Sequence, residues 1–178
     1  MENIVQVLES GNSQEKIKIL QTLDKTDNPK VLEKIISKLD DDDIQVRGEA
    51  FSLLILNENK ISDFLIQNLN STSKNIRGYA ALVLANRDET NAIPNITKLA
   101  KDERSMVRSC AIGALGHLKA KEAKEVFLDS VLDVNVEVRK SALQAIINLK
   151  FPISEERIKE ISKDADSQLL KMLSKLKK

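Results

Sequence analysis

The stretch VRSCAIGALGHL, residues 107–118, decides how this chain folds. Its Val107-Arg108 pair has three counterparts in the chain, two of them Val-Arg and one Ile-Arg. The four copies are spaced by 30, 31 and 31 residues. Four of the seven arginines occupy this one position, and each is followed three residues later by alanine. The four are Arg47, Arg77, Arg108 and Arg139. A fixed period of this length indicates a protein built from stacked structural repeats.

Each repeat has the pattern of two helices joined by a short polar turn. Segments 92–102 and 105–118 both place apolar residues at intervals of three and four, which is typical of amphipathic helices. Polar joints at residues 40–43, 70–74 and 86–90 supply residues suited to helix caps and turns. Five glycines and three prolines are too few for the many tight turns of an all-β protein. We therefore predict an all-α fold.

The composition excludes several classes of protein. Hydrophobic residues make up 42% and aromatic residues only 3%, so the core is predicted to be aliphatic. A net charge of +1 gives no overall attraction to nucleic acid. One cysteine cannot form an intramolecular disulfide, and no run reaches the roughly 18 apolar residues of a membrane span. The N-terminus lacks the pattern of a signal peptide. We predict a cytoplasmic protein that does not contact membranes.

The segment AIPNITKLAKDERSMVRSCAIGALGHL, residues 92–118, resembles a HEAT repeat, in particular the short HEAT-like type of phycobilisome lyases. The resemblance covers residues 28–150 and implies a right-handed α-solenoid of antiparallel helix pairs. Extending the 31-residue period to both ends of the chain predicts about six such pairs. The resemblance also implies that second helices line the inner, concave side. We predict a single HEAT-like domain over residues 1–178 whose first and last repeats are degenerate caps. The predicted repeats are 1–25, 28–57, 60–87, 91–118, 121–149 and 153–177.

The resemblance implies a structural role for the repeated arginines and aspartates, which would join neighbouring repeats through charge-assisted hydrogen bonds. The members of this predicted ladder are Arg47, Arg77, Arg108, Arg139, Asp41, Asp102 and Asp133. Ser71 occupies the aspartate position in the third repeat, which predicts a break in the ladder there. Phosphate binding by the four arginines is the alternative interpretation.

The second helices carry a stripe of residues that is predicted to bind a partner. At about 100° per residue, offsets of +2, +5 and +9 from each arginine lie on the side away from the apolar positions. The stripe contains the chain's only Tyr, Cys and His and one formal charge, which favours a protein or peptide ligand over a phosphate backbone. Ordinary solvated surface, and binding by the convex face or the loops, are alternatives. The stripe residues are Glu49, Ser52, Leu56, Tyr79, Leu82, Asn86, Cys110, His117, Ser141, Gln144 and Asn148.

We predict that Cys110 and His117, the rare residues of this stripe, form neither a catalytic pair nor a metal site. Cys110 and His117 stand seven residues apart, roughly 10 Å along a helix, which is too far for a nucleophile and its base. They also leave a tetrahedral zinc site two ligands short. The run of aspartates at 40–43 lacks the ligand spacing of a calcium loop and fits helix capping. We predict no catalytic residue, metal or cofactor.

The predicted function is a non-enzymatic protein-interaction scaffold or adaptor that uses the concave surface lined by its second helices. Two alternatives belong to other functional classes. One is a nucleic-acid-associated HEAT-like module, whose binding would weaken steeply with added salt. The other is a lyase-like accessory enzyme, which would need a cofactor-sized pocket with converging polar groups.

Overall fold

The computed structural model describes residues 2–177, which contain twelve α-helices and no β-strand. The all-helical fold class predicted from the repeats is confirmed. Short 3₁₀ turns lie at Lys38–Asp40, Thr90–Ala92, Lys121–Ala123 and Ser174–Lys177. The α-helices are α1 Glu2–Ser10, α2 Ser13–Leu20, α3 Pro29–Ser37, α4 Ile44–Leu56, α5 Ser62–Asn68, α6 Lys74–Asn86, α7 Ile93–Leu99, α8 Ser105–His117, α9 Lys124–Ser130, α10 Val136–Leu149, α11 Glu155–Ser162 and α12 Ser167–Leu173.

The chain divides into two compact units, Met1–Ala92 and Ile93–Lys178. Each unit contains three helix pairs, in which the odd-numbered helix comes first and the even-numbered helix second. In the first unit α2 packs on α4 and α4 on α6, and in the second unit α8 packs on α10 and α10 on α12. Consecutive second helices therefore form a continuous layer within each unit.

Short polar side chains fix where the helices begin. The Asn28 side chain accepts hydrogen bonds from the backbone N–H groups of Lys30 and Val31, and Pro29 occupies the first helical position of α3. Asp43 caps α4 through the N–H of Gln45, which is the capping role predicted for the aspartate run. Such a cap contributes about 1 kcal/mol to helix stability. Further side-chain caps are Asn12, Ser73, Asn135, Ser154 and Asp166.

The core is aliphatic, as the composition predicts. The apolar residue before each ladder arginine and the alanine three positions after it face inward, and most of these residues have no exposed surface. Among the described residues, Phe127 is the aromatic side chain with no exposed surface. The fully buried members of the repeated pattern are Val46, Ala50, Ala80, Val107, Ala111, Val138 and Ala142.

The backbone that follows the second helices in the first unit is held by polar side chains of the next repeat. Asn57 is 1% exposed, and its Nδ2 donates to the carbonyl of Thr26 at 2.7 Å. Arg87 Nη1 donates to the carbonyls of Leu54 and Asn57, which the end of α4 leaves without helical partners. These contacts were not predicted from the sequence. The sequence feature that could have predicted them is the polar residue ten positions after the ladder arginine, Asn57 or Arg87. The two repeats of the second unit have leucine at that position.

Two glycines of α8 provide a test of the packing between second helices. A Cβ built on Gly113 meets no atom within 4 Å, whereas one built on Gly116 lies 3.1 Å from the Cβ of Ala145. We expect Gly113→Ala to raise the free energy of unfolding by about 0.5–1 kcal/mol, because alanine stabilises a helix interior. Gly116→Ala is expected to lower it, because α8 and α10 must move apart. Urea unfolding of both variants measures the difference, and an equal gain in both would contradict the close helix approach.

Candidate functional site

The four ladder arginines share one local contact, in which Nη1 donates to the backbone carbonyl six residues earlier. The pairs are Arg47 with Asp41 at 2.6 Å, Arg77 with Ser71 at 2.8 Å, Arg108 with Asp102 at 2.9 Å and Arg139 with Asp133 at 3.0 Å. The side chain at that earlier position accepts a hydrogen bond from the N–H two residues later, as at Asp133 and Asn135. Each arginine therefore fixes the turn that precedes its own helix.

Arg108 also forms a bidentate ion pair with the following repeat. Its Nε and Nη2 donate to Asp133 Oδ2 and Oδ1 at 2.7 and 2.8 Å, and the two side chains are only 14% and 13% exposed. Burial opposes ionisation of Asp133, but the hydrogen bonds from Arg108 and from the Asn135 N–H, with the charges of Arg108 and Arg139, lower its pKa. The pair is therefore ionised at neutral pH.

Two more contacts join the cationic position of one repeat to the turn of the next. Lys16 stands one repeat length before Arg47, and its Nζ lies 2.8 Å from Asp41 Oδ2. Arg139 Nη2 donates to the backbone carbonyl of Asp164 at 3.0 Å. Each of these contacts lies within one compact unit. At both places the cationic side chain therefore links its own repeat to the next one, whether the acceptor is a carboxylate or a backbone carbonyl.

The residues of the predicted binding stripe lie at the surface of the second helices. Glu49, Tyr79, Leu82, Cys110 and Ser141 are half-buried. The exposed members are Ser52, Leu56, Asn86, His117, Gln144 and Asn148. The stripe consists of two parts with different chemistry, one on each compact unit.

In the first unit, α4 and α6 enclose a mainly apolar groove with a volume of about 320 Å³. We call it the α4–α6 groove, and it is lined by Ile44, Arg47, Gly48, Phe51, Tyr79 and Leu82. The rings of Phe51 and Tyr79 meet edge to face, with centroids 6.2 Å apart and planes at 70°. Ile44 is 72% exposed. Tyr79 and Leu82 of the predicted stripe therefore come together here with side chains that the prediction left out.

In the second unit, α8, α10 and α12 border a polar groove of about 460 Å³. We call it the α8–α10–α12 groove, and His117, Ser141, Gln144 and Asn148 of the predicted stripe line it. Gln144 Nε2 donates to Asn148 Oδ1 at 2.7 Å. The other lining residues are Ile112, Gly113, Gly116, Glu137, Lys140, Ala145, Gln168 and Met172. Amide groups with unused donors and acceptors can bind a peptide backbone.

Lys140, the lysine that lines the α8–α10–α12 groove, forms ion pairs with two carboxylates. Its Nζ lies 2.8 Å from Asp166 Oδ2 and 3.0 Å from Glu137 Oε1. The positive charge is therefore largely compensated by neighbouring carboxylates, which reduces its attraction for an anionic ligand.

Cys110 and His117 lie in different surroundings. The Cys110 Sγ contacts Met106 Sδ at 3.6 Å, and burial raises the pKa of its thiol to about 11. The thiol is therefore protonated at neutral pH, and a thiol is a weak nucleophile compared with a thiolate. His117 is exposed in the α8–α10–α12 groove, which Cys110 does not line.

Several groove residues could have been predicted from the sequence but were not. Around the circumference of a helix, offset −2 from the arginine falls between the offsets +5 and +9 that defined the stripe. Applying the same angles toward the start of the helix would have found Glu137 in the second unit. Ile44 and Phe51 could have been found in another way, because α4 has apolar residues outside its buried side as well as on it.

Two other kinds of site are absent from residues 2–177. That range contains no group of three or more His, Cys, Asp or Glu side chains placed to hold a metal ion. Within it, each helix is also too short or too polar to cross a bilayer.

Residues 62–147, just under half of the chain, match the family model of HEAT repeats. A comparison with curated proteins gave no match. The matched segment begins at α5 and ends within α10, so it includes three of the four ladder arginines.

Solved structures of helical repeat proteins are similar over most of the chain. The complex of CpcE and CpcF of phycocyanin lyase from Nostoc sp. PCC7120 matches with 18% identity over 85% of this chain and 100% of that chain, at a TM-score of 0.70. Computationally designed armadillo repeat proteins for modular peptide recognition match with 19% identity over 98% and 97%, at a TM-score of 0.58. A designed armadillo repeat protein in complex with the peptide (KR)4 matches with 19% identity over 98% and 96%, at 0.55. At these identities the likeness is one of fold, an α-solenoid of helical repeats.

The ion pair between repeats predicts different effects for two arginines at equivalent positions. Arg108→Ala is expected to lower the free energy of unfolding by about 2–3 kcal/mol, because it leaves the half-buried Asp133 carboxylate without its partner. Arg47→Ala is expected to cost clearly less, since no carboxylate of the next repeat pairs with Arg47 in the described chain. Chemical denaturation of both variants provides the comparison. Equal losses would contradict a stabilising role for the pair.

The same pair predicts a pH dependence. The pKa of Asp133 is lowered in the folded protein, so its contribution is present above the unfolded pKa of 3.8 and is lost as the pH falls through the folded value. We expect the stability difference between the wild type and Arg108→Ala to be full at about pH 7 and much smaller at about pH 2. Unfolding curves at both pH values measure it. A difference that does not change with pH would show that the ionised carboxylate is not responsible.

Proposed function

We propose that this chain, which carries HEAT repeats, is a non-enzymatic scaffold or adaptor that binds a protein or peptide segment on the exposed face of its second helices. The observation that carries the proposal is the α4–α6 groove. It combines an exposed isoleucine, an aromatic pair and a half-buried leucine at the surface of a folded unit. Clustered apolar side chains that remain at a protein surface are typical of interaction sites.

The character of the α4 surface supports this interpretation. α4 carries more apolar side chains than its packing buries, since Ile44 and Leu56 are 72% and 71% exposed. Large apolar side chains that stay exposed on a folded helix are suited to contact with a partner. Tyr79 provides a ring with a polar hydroxyl, a combination that is enriched at protein interfaces.

The polar groove of the second unit supports a peptide ligand in another way. Gln144 and Asn148 present amide groups there, and His117 presents an exposed imidazole. These side chains can donate to and accept from the backbone of a bound segment. The designed armadillo proteins of similar fold are described as made for peptide recognition, which is consistent with this use of a repeat surface.

The charges of the grooves favour a protein ligand over nucleic acid. Among the residues that line the two grooves, the lysine is Lys140 and the arginine is Arg47. Lys140 is paired with Glu137 and Asp166. Binding to a phosphate backbone requires several such cations on one surface.

The similarity to phycocyanin lyase is one of fold, and the proposal assigns no catalytic role to any residue. We place the protein in the cytoplasm, where a lone thiol such as Cys110 stays reduced.

A display experiment tests the proposal. Random peptides are selected on the immobilised full chain, and the dissociation constants of the best binders are measured by calorimetry. We expect Tyr79→Ala to weaken binding about thirty-fold, as for a buried aromatic anchor, and Ile44→Ser about ten-fold through lost apolar contact. Circular dichroism checks that both variants fold.

Val134 provides the matched control for Ile44. It is also β-branched and is 92% exposed, but it does not line either groove. Val134→Ser is expected to leave peptide affinity unchanged. The proposal fails if Val134→Ser and Ile44→Ser behave alike, or if random-sequence duplex DNA binds the chain and no selected peptide does.

A further inference from the structure

The α4–α6 groove contains an arginine that lacks the partner used by its equivalent in the second unit. At the ladder position, Arg108 uses Nη1 for the turn of its own repeat and Nε and Nη2 for the carboxylate of Asp133. Lys16 likewise takes the Asp41 carboxylate of the repeat that follows it. At both places the group opposite the cationic position is a carboxylate.

Within residues 2–177, Arg47 makes only the first of these contacts. Its Nη1 donates to the carbonyls of Asp41 and Asp42 at 2.6 and 3.1 Å. Its Nε and Nη2, the donors that Arg108 uses for Asp133, have no hydrogen-bond partner among residues 2–177. They are not among the buried polar atoms that lack a partner, so solvent reaches them.

At the position equivalent to Asp133, the repeat that follows Arg47 carries Ser71. Ser71 makes the turn contact of its aspartate equivalents, because its Oγ accepts from the N–H of Ser73 at 3.2 Å as Asp133 Oδ1 accepts from Asn135 at 2.8 Å. A serine hydroxyl has neither a second oxygen nor a charge to offer to the guanidinium of Arg47. The ladder thus lacks a carboxylate at this one position in the first unit.

The acidic residues close to Arg47 in sequence do not replace it. The Asp41 carboxylate is held by two lysines, and the Asp43 carboxylate caps α4. Asp42 and Glu49 form no ion pair with Arg47 within the described part of the chain. The guanidinium therefore carries a positive charge that no carboxylate of residues 2–177 contacts directly.

Arg47 lines the groove beside Ile44, Phe51 and Tyr79. Gly48, next to it, has no atom within 4 Å of a built Cβ, so the space beside the arginine is open. An arginine fork with two free donors at an apolar surface is suited to a carboxylate, which it binds through two parallel hydrogen bonds. A neutral apolar segment would leave those donors unpaired and partly desolvated.

We propose that the α4–α6 groove binds an apolar peptide segment that carries an acidic side chain, and that its carboxylate pairs with Arg47 where Ser71 leaves the ladder incomplete. The inference rests on the proposed function and adds the chemistry of the partner. The apolar side chains of the segment contact Ile44, Phe51 and Tyr79. The partner thereby supplies the group that an aspartate supplies to the equivalent arginine of the second unit.

The peptides selected on the full chain test this inference through two substitutions. Ser71→Asp provides Arg47 with an internal carboxylate, so it is expected to raise the midpoint of thermal unfolding and to weaken peptide binding at least about ten-fold. Arg47→Gln removes the guanidinium and is expected to weaken the same peptides by a similar factor. The selected peptides are expected to be enriched in Asp or Glu next to apolar residues, and changing that residue to Asn or Gln should reproduce the loss.

Asn70→Asp is the matched control, because it adds the same charge one residue away at an exposed position. It is expected to change peptide affinity by less than about three-fold, as for a screened surface charge. Equal weakening by Asn70→Asp and Ser71→Asp would overturn the inference. So would selected peptides that lack an acidic residue, or that bind Ser71→Asp as tightly as the wild type.

The outcomes separate this inference from the proposed function. Peptides that require Tyr79 and Ile44 but not Arg47 would overturn the inference and leave the scaffold function supported. Failure to select any peptide that depends on the groove would overturn both. Sedimentation tests another occupant: self-association that Ser71→Asp abolishes would show that the groove binds a second copy of this chain, and the proposed peptide partner would be wrong.

Discussion

The close packing of one second helix against the next is the contact on which the rest of this protein depends. The alanines three positions after each ladder arginine, Ala50, Ala80, Ala111 and Ala142, have no exposed surface. Gly116 and Ala145 show how close the approach is, since a Cβ on the glycine would lie 3.1 Å from that of the alanine. Helices of 7 to 14 residues are marginal in isolation, so their stability comes from this packing.

Polar side chains then satisfy the backbone at both ends of the packed helices. Before a second helix, the ladder arginine donates to the carbonyls of the turn, as Arg108 does at Asp102 and Glu103. After a second helix in the first unit, Arg87 and Asn57 donate to carbonyls of the preceding repeat. These contacts fix the turns, so the outward faces of the helices can differ between repeats without changing the fold.

The differences between repeats give the two grooves their chemistry. On α4 and α6 the outward positions carry Ile44, Phe51, Tyr79 and Leu82, and the surface is apolar with an aromatic edge-to-face contact. On α8 and α10 the outward positions carry histidine, serine and amide side chains. The first surface is suited to recognition by apolar contact and the second to recognition by hydrogen bonds.

The period of the Val-Arg pair was sufficient to predict a repeat protein, because packing of identical elements imposes the same residue at the same place in each copy. The three- and four-residue spacing of the apolar positions was sufficient to predict that the repeats are helical. Helical angles were also sufficient to find surface residues such as Tyr79 and His117, since burial of one helix face leaves the opposite face in solvent. What the sequence could not determine was which side chains become neighbours. Phe51 meets Tyr79, and the Arg47 guanidinium has two donors without a partner in the described part of the chain. Both depend on distances between residues of different repeats, and only the packing of one helix on the next decides those distances.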